Sequence, residues 1–233
     1  MKKRNIFALA GLSFALSAPV FADAAKPNFI AEAKAPAVTS PVGNAALACQ
    51  IVSSMGDNKD PLLLTAAAQF LKAAETGQTK LDATKSSEGG QDDKGQKSGV
   101  TLTSEALFSE AKALAGSDKS LVAVIDSVQS ASSAVSRGAV GGAKHKTDRV
   151  RAGATDVFTI KYRGNRTAEV AVIGDGDTDL DLFVYDENGH LICSDRDSTD
   201  RTYCAWEPSW TGKFKIKIEN LGSVYNVYDI ITN

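Results

Sequence analysis

The 233-residue chain holds only two histidines, His145 and His190, and just three cysteines, two methionines and two tryptophans. Neither histidine lies in an H-E-x-x-H spacing, and no G-x-S-x-G elbow or phosphate-cradling glycine loop is present, so the helix-borne zinc, serine-elbow and P-loop chemistries are not signalled. Hydrolase chemistry would need a Ser/His/Asp set assembled from distant segments, and each histidine already has a loop or turn context. We therefore expect no enzyme, with a hydrolase as the remote alternative. Long apolar runs are lacking too: Ile6 to Leu16 falls short of the ~20 residues a membrane helix requires, and nothing longer follows. An excess of positive charge is also missing. The formal net charge is −2, which argues against nucleic acid or anionic lipid as partner, since both reward clustered Lys and Arg.

What is present at the start is the three-part pattern of an export signal. Lys2, Lys3 and Arg4 precede the apolar run, and the small residues Val20 and Ala22 precede Asp23. Cleavage after Ala22 would take the net charge from −2 to −5 and leave a periplasmic or secreted protein without a transmembrane segment. In an oxidising compartment Cys193 and Cys204, set on what read as neighbouring strands, are the natural disulfide partners. Cys49 follows Ala46-Leu47-Ala48 in a helical pattern and reads as a buried thiol.

Residues 23–42, rich in Ala, Pro, Lys and Ser, read as a flexible tail, and 43–137 as a helical domain. Helices are expected over Ala45–Met55, from an Asp60 cap with Pro61 at the first position, from Thr103 or Ser104 to Gly116, and along the Leu121, Val124, Ile125, Val128, Val135 face. A faint repeat at an offset of 60 pairs Gly56 with Gly116 and Ala46-Leu47 with Ala106-Leu107. Two units are too few for a helical solenoid, so a small bundle is the preferred reading. The polar stretch 77–100 is expected to be a disordered loop, and the Gly-rich 138–149 a linker between domains.

From Val150 onward the period changes to two: Phe158, Ile160, Tyr162; Val170, Val172; Leu180, Leu182, Val184; Phe214, Ile216, Ile218. Gly/Asn/Asp clusters separate these runs. Six to eight short strands imply an antiparallel β-sandwich, because one amphipathic sheet must cover its apolar face with another. Within it, GDGDTDLDLFVYDENGHLI from Gly174 and PSWTGKFKIKIEN from Pro208 resemble the bacterial pre-peptidase C-terminal domain, over residues 148–233. The resemblance implies a jelly-roll-like sandwich with a noncatalytic accessory or binding role, related to modules that bind calcium or extracellular polymers. The fold expected is thus α+β in two domains, an N-terminal bundle of helical hairpins and a C-terminal sandwich. The helical half is not recognised.

The hairpin from Gly174 to Asp195 gathers Asp175, Asp177, Asp179, Asp195 and Asp197 at its open end. An EF-hand is excluded, since Leu180 stands at the obligatory glycine and Asp186 at the terminal glutamate. Two readings stay open. With a three-residue loop, Glu187-Asn188-Gly189, Asp181 faces Asp195 and Asp179 faces Asp197, an arrangement needing a cation such as calcium. With two or four loop residues Arg196 faces Asp181 or Asp179 and the cluster neutralises itself. Trp206 and Trp210 are binding candidates for a sugar or protein if exposed, and core if buried. The function expected is an exported binding or adaptor protein whose partner is an extracellular or envelope protein or polysaccharide. The alternative is an envelope structural protein assembling through its helices.

Overall fold

In the computed structural model the described residues are 25–32, 40–76, 78–90, 102–131 and 143–233. The export signal and its cleavage site, residues 23–24 and 33–39 of the tail, Gly77, 91–101 and the Gly-rich 132–142, including Val135, lie outside them.

Among the described residues four helices form where capping residues meet apolar periods. Helix α1 (Pro41–Met55) begins four residues before Ala45, because the Ser40 side chain accepts the Gly43 N–H and Pro41 fits the first turn. In α2 (Pro61–Glu75) Asp60 accepts the N–H groups of Leu62 and Leu63. Helix α3 (Ser104–Ala115) is capped by Thr103, and α4 (Lys119–Ala131) has Asp118 bonded to the N–H groups of Ser120 and Leu121. Alanines at 45, 48, 67, 68 and 111 let the helices approach around Leu64, Leu71, Leu107, Phe108 and Ile125.

The described residues also form eleven strands in two sheets. They are β1 (Ala31–Glu32), β2 (Thr79–Lys80), β3 (Thr84–Gly89), β4 (Lys144–Val150), β5 (Ala154–Tyr162), β6 (Ala168–Ile173), β7 (Leu180–Tyr185), β8 (Leu191–Asp195), β9 (Arg201–Glu207), β10 (Gly212–Asn220) and β11 (Asn226–Thr232). The six-stranded sheet runs β1-β9-β6-β11-β4-β2 and the five-stranded sheet β3-β5-β10-β7-β8. Only the β2–β4 pair is parallel among the described strands. Between the sheets lie Phe158, Ile160, Tyr162, Val170, Val172, Leu182, Val184, Trp206, Phe214, Ile216 and Tyr228. The α+β fold with a sandwich is therefore as the periods indicate.

The boundaries differ from the sequence reading in three places. The stretch expected as a disordered loop supplies β2 and β3, the expected linker supplies most of β4, and the tail supplies β1. These strands are polar because they sit at or near sheet edges, where ladder hydrogen bonds rather than side-chain burial hold them. β3 pairs with β5 from Thr84 opposite Thr159 to Gly89 opposite Ala154. Its Lys85 reaches inward to Asp148 at 2.6 Å and to the buried Asp156 at 2.7 Å.

The two halves are also not joined by a linker alone. Strand β6 is buried at every position: Val170 and Val172 face the inter-sheet core, while Ala171 and Ile173, with Ile231 of β11, join the helical core. The molecule is thus three layers, helices on the six-stranded sheet on the five-stranded sheet. One outer face of the sandwich is covered by helices, and the outer face of the five-stranded sheet is not, among the described residues.

Candidate functional site

The β7–β8 hairpin decides what its acids can do. Its loop is Glu187-Asn188-Gly189, closed by the Asp186 N–H to the His190 carbonyl, and Tyr185 faces Leu191. At Ile192 a bulge inserts one residue into β8, so Val184 faces Cys193 and Leu182 faces Asp195. Continued by one residue, that register sets Arg196, and not Asp195, across from Asp181. Burial raises the Asp181 carboxyl above the ordinary range, Asp179 and Glu219 add to this, and Arg196 opposes it. Burial also raises Asp195, against the Tyr203 N–H bond to its Oδ2 and in concert with Asp197.

Asp175 and Asp197 are drawn into separate hydrogen-bond groups. Asp175, buried just after β6, accepts the Val227 N–H, and Asp200, a residue sequence reading passed over, accepts the Gly176 N–H and the Asn226 amide. Gly174 is obligatory here: a Cβ on it would lie 2.2 Å from the Asp200 carboxylate. Asp197 accepts the N–H and hydroxyl of Thr199, shaping the β8–β9 turn. Asp177 and Asp179 are half-buried near them. Among the described residues no three His, Cys, Asp or Glu side chains form a group able to hold a metal ion. Of the five acids expected as one site, Asp175 and Asp197 thus bond to different segments, β11 and the β8–β9 turn.

Cys193 and Cys204 form a disulfide joining β8 of one sheet to β9 of the other, with Cα atoms 6.0 Å apart. Cys49 is a free buried thiol, its pKa pushed up to about 12 by burial. The tryptophans divide. Trp206 is fully buried, edge-on to Tyr162 at 4.8 Å, so it belongs to the core and not to a binding surface. Trp210 is 41% exposed.

Trp210 is held from behind by an N-terminal strap. The buried Asn28 accepts the Trp210 N–H at 3.0 Å and donates to the Trp210 carbonyl at 3.1 Å, while the Asn28 N–H goes to Asp186. The Trp210 indole N–H donates to Glu187. Asp186 closes this arrangement: burial would raise its pKa, but N–H donors from Asn28, His190 and Asn188 and the His190 ring hold it below the ordinary range.

Next to Trp210 the open face of the five-stranded sheet is basic. Alternation along β10 turns Phe214, Ile216 and Ile218 inward and Lys213, Lys215 and Lys217 outward. Lys161 of β5 stands directly opposite Lys213. Tyr185 and Phe183 of β7 face Lys215 and Lys217, with the Lys217 ammonium 5.7 Å from the Tyr185 ring centre. The β5–β6 turn adds Arg163 and Arg166, which with Lys161, Gly164 and Thr211 line a shallow depression. That turn is pinned: Asn165 donates to the Pro208 carbonyl from a φ of 55°, and Gly164 donates to the Thr211 hydroxyl. A Cβ on Gly164 would meet the Trp210 backbone at 2.6 Å. Among the described residues no ion pair engages Lys161, Arg163, Arg166, Lys213 or Lys215. KFKIK shows an alternating strand in the sequence, but its meeting with Lys161, about fifty residues earlier in the chain, is visible only once the register is known.

No protein-family model matches the chain, and no curated protein matches it. Solved structures similar to it include the Aeromonas hydrophila PliG, a periplasmic inhibitor of g-type lysozyme, at 12% identity and TM-score 0.31 over 39% of this chain and 84% of that one. Another is the pre-peptidase C-terminal domain of a Bacillus anthracis collagenase, at 11% identity and TM-score 0.31 over 38% of this chain and 89% of that one. A third is the Yersinia pseudotuberculosis-derived mitogen, at 18% identity and TM-score 0.30 over 40% of this chain and 85% of that one. Likeness at this level is too slight to assign a function, and the functional reading rests on the chain's own residues.

Proposed function

We propose that this chain is an exported, noncatalytic binding protein that meets its partner through the open face of the five-stranded sheet. The observation that carries this is the like-charged pair Lys161–Lys213, set side by side with Arg163, Arg166 and Lys215 on a chain of net charge −2. Directly opposed like charges destabilise a sheet, and a local conflict without structural return marks a surface kept for contact. Trp210, exposed at the edge of the same face, adds the aromatic anchor that binding surfaces favour. Export is supported by the basic, apolar and small-residue pattern of residues 1–22 and by the Cys193–Cys204 disulfide. The noncatalytic reading is supported by how both histidines are used: His145 ties β4 to Asp229 of β11, and His190 ties the hairpin loop to Asp186.

The test compares retention of the mature chain on native envelope material with that of a Lys213→Glu/Lys215→Glu variant and of Trp210→Ala. Loss of retention in both, with the melting temperature of the charge-reversed variant unchanged or raised, is the expected result. Full retention of the charge-reversed variant would place the contact elsewhere. The helical layer supports a second reading, assembly, because Leu62, Leu63, Leu114 and Val124 are each about half exposed. A mass measurement in solution that finds a stable oligomer dispersed by Leu62→Gln/Leu63→Gln would favour it.

A further inference from the structure

We propose that the occupant of the basic sheet face is an acidic polysaccharide chain, held by carboxylates spaced along its sugars; this rests on the reading that the open face is the contact surface. The first ground is charge. Lys161, Arg163, Arg166, Lys213 and Lys215 are exposed, and none has an ion-pair partner among the described residues, so an incoming anion displaces only water and loose counterions.

The second ground is shape. The surface is a sheet face with an open depression at its Trp210 end and another, lined by Asp179, Asp181 and Arg196, at the β7–β8 end, suited to an extended chain lying across strands rather than to a compact ligand needing an enclosed pocket. Successive outward lysines on β10 recur every two residues, a separation of about 6.8 Å, so they meet anions that are spaced apart.

The third ground is the limit on the basic area. At the other end of the same strands Glu219 stands opposite Asp181, and Glu88 lies 3.9 Å from Lys217. A duplex nucleic acid carries one charge per ~1.7 Å of axis and would run its phosphates into this acidic border. A glycan with sparse carboxylates can end or bend there. The exposed Trp210 indole, its N–H already fixed to Glu187, provides an apolar surface for a sugar ring at the depression.

The experiment measures binding of the mature chain to polygalacturonate, with neutral dextran and a short DNA duplex as comparison probes. The expected result is binding to polygalacturonate that weakens at least about tenfold between ~0.05 and ~0.5 M salt, as charge contacts require. Lys161→Gln/Lys213→Gln should weaken it by about tenfold or more while melting no lower than the parent, because a repulsive pair is removed. Lys119→Gln, on the exposed face of α4, should bind like the parent. Equal binding to dextran would overturn the charge argument, and tighter binding to the duplex would replace the glycan with nucleic acid. Absence of polygalacturonate binding, alongside a charge-dependent retention on envelope material, would overturn the glycan while leaving the contact face standing.

Discussion

Asn28 shows how one side chain decides the course of a whole segment. Fully buried, it satisfies both backbone groups of Trp210 and hands its own N–H to Asp186, so the strap and the hairpin loop hold each other. Asn28→Ala leaves those two groups of Trp210 without partners and should cost about 1–3 kcal/mol, read by denaturant unfolding. An unchanged midpoint would show that the strap contributes nothing. His145 gives a second outcome at this scale. Its hydrogen bond to Asp229 raises its pKa above 6.5, against the opposing effect of burial. The raised value means that its share of stability is complete below the unfolded value and is lost as pH rises through the folded one. The share is at most about 1 kcal/mol for a half-buried pair, and His145→Gln should flatten the stability profile across that window. A profile equally steep in the variant would assign the dependence to another group.

At the level of elements, the β7–β8 hairpin shows what can be read from a sequence and what cannot. The Asn188-Gly189 loop was legible, because Gly189 takes a φ of 87° that few other residues tolerate. The bulge at Ile192 was not: it depends on which residue of β8 the inter-sheet core accepts, and it moves every acid beyond it by one position. Hence Arg196 comes to Asp181, and the two readings of the acidic end separate. Asp181→Asn should raise the melting temperature near neutral pH, since the folded protein holds that carboxylate at a cost, and the gain should vanish in acid once Asp181 is protonated. A loss of stability at neutral pH would mean that the Arg196 attraction outweighs burial. Calcium after chelation should leave the melting temperature within about 1 °C, since Asp175, Asp195 and Asp197 each accept a backbone N–H; a rise abolished by Asp177→Asn/Asp195→Asn would restore the metal reading. The disulfide spans 11 residues, and replacing both cysteines by alanine should cost roughly 2–3 kcal/mol.

Across the whole molecule, the helical and β periods were each readable, and the contact between them was not. Nothing in AEVAVI distinguishes a strand covered on both sides from one covered on a single side, and the polar strands β2 and β3 carry no apolar period to betray them. A chain cut to residues 143–233 would lose β1, β2 and β3 and bare Ala171, Ile173 and Ile231. It should unfold without cooperativity or aggregate, and a cooperative melt matching the full chain would show that the sandwich stands alone.

The same layering leaves one sheet face open, and the basic surface there was hidden from sequence reading by an overall acidic composition. Lysine modification of the mature chain, free and with its native envelope material, tests that face most directly. The account predicts protection of Lys161, Lys213 and Lys215 with Lys119 and Lys144 unaffected. Uniform reactivity in both states, or protection confined to the helical layer, would contradict it.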